Sequence, residues 1–313
     1  VKSQEIFSTE TASGWLPWGV CAPVLALIFI IVSDMATDPV LRRLVRLDAK
    51  GLPVDWWGFA LFLLISSGSL LLILLLWVQR VEGRSLAAIG LTGAAKLRCF
   101  LQGHVIGMAS IAGIVAMIWL AGGLGRAPSD PSTVLAGGWH TPGALAFMVV
   151  LLLCFALQAS TEEIFFRGWL LSLLAKKWNL LLAVAFSSAV FALAHFNRGQ
   201  HWLTTVSMVL YAVFCCAWVW RTRSLLGVMG WHTGWNWLLA VGFGLPVTGF
   251  DMDIPPLLVA LKPLGPEWLN GGAQGPEGSV VCVAFLLAGT IFMCLKRVPM
   301  SNDSTGPINV SVQ

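Results

Sequence analysis

Two adjacent glutamates, Glu162 and Glu163, close an apolar run that begins at Leu145, and Arg167 follows one helical turn later. An ionised carboxylate in hydrocarbon is costly unless it is paired, hydrated or used. On a helix, Glu163 and Arg167 share a face in the favourable acid-first order, so they can cancel each other's charge. Glu162 points about 100° away. One arginine does not serve both acids, and Glu162 is left for a second task. A carboxylate held in such surroundings is a usable general base. The rival explanation is a helix end at the membrane surface, with both acids wetted by headgroup water.

Two further apolar stretches carry polar groups. His195 ends the segment that begins at Phe191, and His232 and Asn236 lie in the sequence Gly-Trp-His-Thr-Gly-Trp-Asn-Trp (230–237). His232 and Asn236 are four apart and project from one helix face. A pair of donors on one face suits a site where charge builds on a carbonyl oxygen. Hydrogen bonding that merely ties two helices together explains the same pair. Gly230 and Gly234 would let a neighbouring helix approach closely. His104, His140 and His201 have edge or loop settings. Asn197 and Arg198 read as turn residues that could line a site mouth.

Several other chemistries find no support. The chain has no His-Glu-x-x-His helix and no Gly-x-Ser-x-Gly elbow. No Gly-Asp pair falls within a span. None of the 7 cysteines forms a Cys-x-x-Cys pair, so a thiolate metal site is disfavoured and the cysteines read as small apolar side chains. Small-x-x-x-small pairs such as Gly103/Gly107 are too common to weigh alone.

The elements that must position these residues are membrane helices. The chain is 57% hydrophobic and 11% charged, against about 25% charged in soluble domains. Its mean hydropathy is +0.81. Many of the 16 tryptophans flank apolar runs, as residues at headgroup level do. The formal charge of +4 is spread over short loops and gives no nucleic-acid signature.

A helix needs roughly 20 apolar residues to cross the bilayer. About eight spans are expected, near 18–33, 57–78, 100–121, 143–159 continuing through the acidic motif, 180–195, 202–220, 225–243 and 279–295. The fold class is all-α, a polytopic transmembrane helix bundle. A tight polar turn, 176–179, should join the fourth and fifth spans. The segment 34–56 reads as a loop with room for an interfacial helix. The segment 244–278 is broken by proline and glycine and is not a ninth span. Its end, with Pro276 and Glu277, suits the first turn of the last helix. The polar stretch 1–13 carries Glu5 and Glu10 and does not read as a cleavable signal, so the first span is expected to direct insertion. Loops on the side of both termini hold more Lys and Arg than the opposite loops, which predicts cytoplasmic termini. The main contrary cluster is Arg42, Arg43, Arg46 and Lys50.

Glu-Glu-x-x-x-Arg (162–167), Phe-x-x-x-His (191–195) and His-x-x-x-Asn (232–236), in this order on successive spans, resemble the CPBP family of intramembrane proteases. That family includes the CAAX prenyl endopeptidases and the bacteriocin-processing, Abi-type proteins. The resemblance covers roughly 143–243. It implies that Glu162 and His195 hold and activate a water, that His232 and Asn236 stabilise the oxyanion, and that Glu163 and Arg167 fix the geometry. The expected division of the chain is a three-span region (1–140), a catalytic core (141–245), a long loop with the last span (246–298) and a polar tail (299–313). No obligatory cofactor is expected. Zinc is the alternative, held by Glu162, His195 and His232, although Asn236 is a poor zinc ligand.

The function expected is hydrolysis of a peptide bond in a membrane-anchored protein or peptide, within a lipid bilayer and without nucleic acid. The expected location is a prokaryotic plasma membrane. A non-proteolytic scaffold or immunity protein, binding a peptide in the same cavity, is the rival from another class. A proton-coupled transporter would also use buried acids, but paired broken helices and inverted repeats are missing.

Overall fold

A computed structural model describes residues 6–7, 12–48, 51, 53–91, 96–127, 142–196, 199–251 and 256–295. Asn197, Arg198, His140 and the tail beyond 295 lie outside the described residues. The architecture is a bundle of helices: α1 (Ala22–Leu44), α2 (Trp56–Leu76), α3 (Lys96–Leu120), α4 (Pro142–Glu162), α5 (Leu171–Lys177), α6 (Leu180–Ala194), α7 (Trp202–Thr222), α8 (Leu226–Trp237), α9 (Glu267–Asn270) and α10 (Val280–Leu295). Five described helical runs are long and apolar enough to cross a membrane, and α6 and α10 are shorter apolar helices. The protein is an all-α polytopic membrane protein.

Wide π turns interrupt the α geometry three times, at Trp77–Val81, Glu163–Leu170 and Leu238–Gly242. The second joins α4 to α5, so Leu145–Lys177 is one rod of 33 residues. The polar turn after it has its own cause. Asn179 caps α6 by accepting a hydrogen bond from the Leu182 amide at 2.9 Å.

Glycine sets the closest helix packing, between α3 and α8. A Cβ added at Gly103 would overlap the Gly227 carbonyl, and one at Gly107 would overlap that of Trp231. In return, Gly230 abuts the Phe100 carbonyl and Gly234 that of His104. Small residues allow this backbone-to-backbone contact in a setting where the hydrophobic effect gives helices no reason to associate. Gly103 and Gly107, dismissed as too common to weigh, therefore form half of a matched seam.

Two segments differ from expectation. First, α1 continues through 34–44, which reads as loop because it holds Asp34, Asp38, Pro39 and two arginines. The polar groups are accommodated on the helix. Asp38 pairs with Arg42 at 2.8 Å, and the Thr37 hydroxyl donates to the Ser33 carbonyl at 2.9 Å. Second, Pro276–Gly278 is a separate 3₁₀ turn before α10. Glu277 does not face the start of that helix; it turns inward and is buried.

The described parts of the long connection, 244–251 and 256–278, fold back over the bundle. Its short strand β2 (Leu261–Pro263) pairs antiparallel with β1 (Leu124–Arg126). The Leu257 amide donates to the Val241 carbonyl at 2.6 Å, fastening the connection to the end of the α8 rod. The connection between α2 and α3 is anchored by Glu82. Its buried carboxylate accepts from Trp77 Nε1 (3.0 Å), Trp169 Nε1 (2.8 Å) and Arg84 Nη1 (3.1 Å). With three donors the charge is satisfied, and the loop is tied to the 33-residue rod.

Candidate active site

The two glutamates lie where α4 widens into its π turn, a distortion frequent at functional sites. They have separate surroundings. The Glu163 and Arg167 side chains are both 0% exposed and pair at 3.1 Å, whereas the Glu162 side chain is 19% exposed to a cavity. Glu163 Oε1 also accepts from His232 Nδ1 at 2.9 Å. One buried carboxylate therefore holds an arginine and a histidine in place. The Arg167 guanidinium lies 4.4 Å from the Phe191 ring centroid, an additional cation–π support.

Glu162 faces both imidazoles. Its Oε2 is 3.7 Å from His195 Nε2 and 3.9 Å from His232 Nε2. The proton positions follow from the partners. His195 Nδ1 is 2.9 Å from the Phe191 carbonyl, which only accepts, so Nδ1 carries the proton and Nε2 turns a lone pair toward Glu162. The Phe191 ring stacks on His195 at 4.3 Å. Phe191 thus orients the imidazole with both its backbone and its ring. His232 donates Nδ1–H to Glu163, so its Nε2 too faces Glu162 as an acceptor in the neutral ring.

A carboxylate oxygen and two imidazole lone pairs converge without a donor among them. A water with about 2.8 Å to each of two acceptors holds them roughly 4.4 Å apart, wider than the observed spacing. Tetrahedral zinc ligands at about 2.1 Å from the metal lie roughly 3.4 Å apart, closer than these groups. Among the described residues no three His, Cys, Asp or Glu side chains are gathered as a metal-ligand set. The observed spacing lies between the two.

Asn236 reaches the same place through an amide relay. Its Nδ2 donates to Gln158 Oε1 at 3.1 Å, and Gln158 Nε2 donates to Glu162 Oε1 at 2.6 Å. The second Nδ2 proton of Asn236 remains for another acceptor. The four residues expected to do chemistry, Glu162, His195, His232 and Asn236, all line one cavity of about 350 Å³. Glu163 and Arg167 stand behind its wall. His104 and His201 are not among the lining residues; His201 caps α7 by accepting from the Leu203 amide at 3.3 Å.

Three lining residues escape a motif reading. Gln158 stands one turn before Glu162 on the same face, a spacing visible in the sequence. Tyr211, the only tyrosine, packs edge-on against His232 at 5.2 Å between ring centroids. Glu277 comes from the proline-broken connection. It accepts from Trp235 Nε1 (2.8 Å), the Thr248 amide (2.5 Å) and the Thr248 hydroxyl (3.1 Å). Burial pushes its carboxyl above the usual 4.5, and these hydrogen bonds pull it partly back. Thr248 sits at φ 50°, a left-handed conformation unusual for a β-branched residue. The carboxylate thus ties a strained turn of the roof to the residue beside Asn236.

The helix bundle thus turns acid, imidazole and amide groups onto one cavity. Residues 132–238, about a third of the chain, match the family described as type II CAAX prenyl endopeptidase Rce1-like, and the three motifs fall within that segment. No curated protein and no solved structure matches the chain.

Proposed function

We propose that the protein hydrolyses a peptide bond in a membrane-associated protein or peptide, using water activated by Glu162 and His195, with His232 and Asn236 stabilising the oxyanion. The match of residues 132–238 to the Rce1-like family supports this reading. The carrying observation is the convergence of the Glu162 carboxylate on two imidazole Nε2 atoms at 3.7 and 3.9 Å.

The chemistry follows from the donors and acceptors. A water between Glu162 and His195 gives a proton to the carboxylate as its oxygen attacks the peptide carbonyl carbon. Negative charge then appears on the carbonyl oxygen. Asn236 offers its second Nδ2 proton to that oxygen. His232 does so once Nε2 has taken a proton from solvent before the attack, and the Glu163 carboxylate on Nδ1 is placed to stabilise that imidazolium. Arg167 holds Glu163 in position for that task. The proton taken up by Glu162 then passes to the leaving amine. No step requires a metal, and no obligatory cofactor is proposed. Metal analysis of purified, active protein checks this: stoichiometric zinc lost together with activity on chelation would reverse it.

The decisive experiment compares membranes holding the wild type with membranes holding Glu162→Gln, scored by proteomics for new peptide termini. Termini present only with the wild type are the expected result. Full activity in purified Glu162→Gln protein would sink the proposal. A phenotype that survives Glu162→Gln with no shortened partner would favour the scaffold reading. We place the protein in a prokaryotic plasma membrane with cytoplasmic termini, a placement that protease accessibility of tagged termini checks.

A further inference from the structure

The cavity extends well beyond the motif residues. At its α1–α2 end it is lined by Ser33, Asp34, Ser66 and Ser67. Asp34 lies inside α1, which is long and apolar enough to span the membrane. Its side chain is exposed and borders the cavity, where a charged ligand can reach it.

The other lining carboxylates are supplied with donors by this chain. Glu162 accepts from Gln158, and Glu277 accepts from Trp235 and Thr248. The Asp34 carboxylate has no hydrogen bond or ion pair among the described residues; only its backbone carbonyl accepts, from Thr37. The described residues lining the cavity include no lysine or arginine. Arg167, behind the wall, is engaged by Glu163.

Asp34 is also connected to the site of reaction. Ser33 Oγ donates to the Ser66 carbonyl at 3.5 Å, and Thr161 Oγ1 donates to the Ser67 carbonyl at 3.4 Å. These contacts bring α1, α2 and α4 to one level, with Asp34 at one end and Glu162 at the other. A polar ledge therefore crosses three helices within a single cavity.

We infer that Asp34 is a specificity-determining residue that receives a cationic side chain, Lys or Arg, a few residues from the scissile bond of the substrate. This rests on the endopeptidase reading for the term "scissile bond" but not for the binding itself. An extended peptide advances about 3.3 Å per residue, so a chain laid along the ledge brings a flanking side chain to Asp34 while a carbonyl faces Glu162. A carboxylate bordering the cavity favours a cationic flanking side chain and disfavours an acidic one.

The test reads binding, independent of turnover. A library of end-blocked, membrane-inserting peptides with a short randomised segment is offered to full-length Glu162→Gln protein in phosphatidylcholine vesicles, and retained peptides are sequenced. Enrichment of Lys and Arg over Glu by about tenfold or more at one position is expected. Asp34→Asn on the same background should collapse that ratio toward one, Asp34→Glu should keep it, and Asp34→Lys should invert it. A ratio near one in the Glu162→Gln protein, or one that Asp34→Asn leaves unchanged, overturns the inference. A second arm with unblocked N-termini separates side-chain from terminal amines: retention that follows the free amine alone also overturns it. Charge-selective retention without cleavage by the wild type would count against the protease reading and leave Asp34 standing. Cleavage without charge preference would do the reverse.

Discussion

Glu163 and Glu162 are neighbours in sequence with opposite duties. Glu163 is sealed between Arg167 and His232, while Glu162 opens onto the cavity. Substituting Glu163→Gln leaves Arg167 buried and without its countercharge. Breaking a buried pair in this way costs about 3–5 kcal/mol, so thermal stability in detergent should fall with activity. Glu162→Gln removes no buried pair and should spare stability while abolishing cleavage. Equal melting temperatures for the two variants would contradict this division.

Glu277 gives a pH signature. Its folded carboxyl is raised by burial above 4.5, so the folded state holds the proton more tightly than the unfolded chain. This contribution to stability is fully present below about pH 4.5 and is lost as pH rises through the raised value. Glu277→Gln should flatten that part of the stability–pH curve, read by thermal unfolding across mildly acidic pH. The six motif residues were legible because charge in an apolar run is costly and spacing reveals the shared face. Glu277 and Asp34 were not. One sits in a segment whose prolines advertise only a loop, and the other looks like the polar end of a span until α1 is seen to continue past it.

Among the elements, α3 and α8 depend on each other most closely. His232 and Asn236 are aimed by α8, and α8 is set by glycines that meet carbonyls of α3. Replacing Gly230 or Gly107 with valine should force the backbones apart and lose folded protein, seen as aggregation in size-exclusion chromatography. Gly113, whose added Cβ would meet nothing within 4 Å, should accept alanine without loss. Half of this seam could be read from Gly230 and Gly234 beside the motif residues. The other half could not, because a glycine pair does not name its partner helix. The π turn at Glu163–Leu170 was equally hidden, since the i, i+4 spacing of Glu163 and Arg167 suits an ordinary helix.

At the scale of the molecule, the matched segment holds Glu162, His195, His232 and Asn236, and the rest of the chain helps line the cavity around them. Walls from α1 and α2 and a roof of Val247, Thr248, Phe250 and Glu277 meet residues of α4, α6, α7 and α8 around it. Pattern reading found the helices by hydropathy but not this enclosure, which depends on how distant segments meet.

The rod Leu145–Lys177 has one more implication. At about 1.5 Å per residue, 33 residues reach roughly 50 Å, against a hydrocarbon slab near 30 Å. Such a rod must lean, or dimple the leaflet around it, and Glu162 rides on it about midway. Lipid thickness therefore becomes a control on where the Glu162 carboxylate sits in depth, and turnover should vary several-fold between short-chain and long-chain phosphatidylcholines.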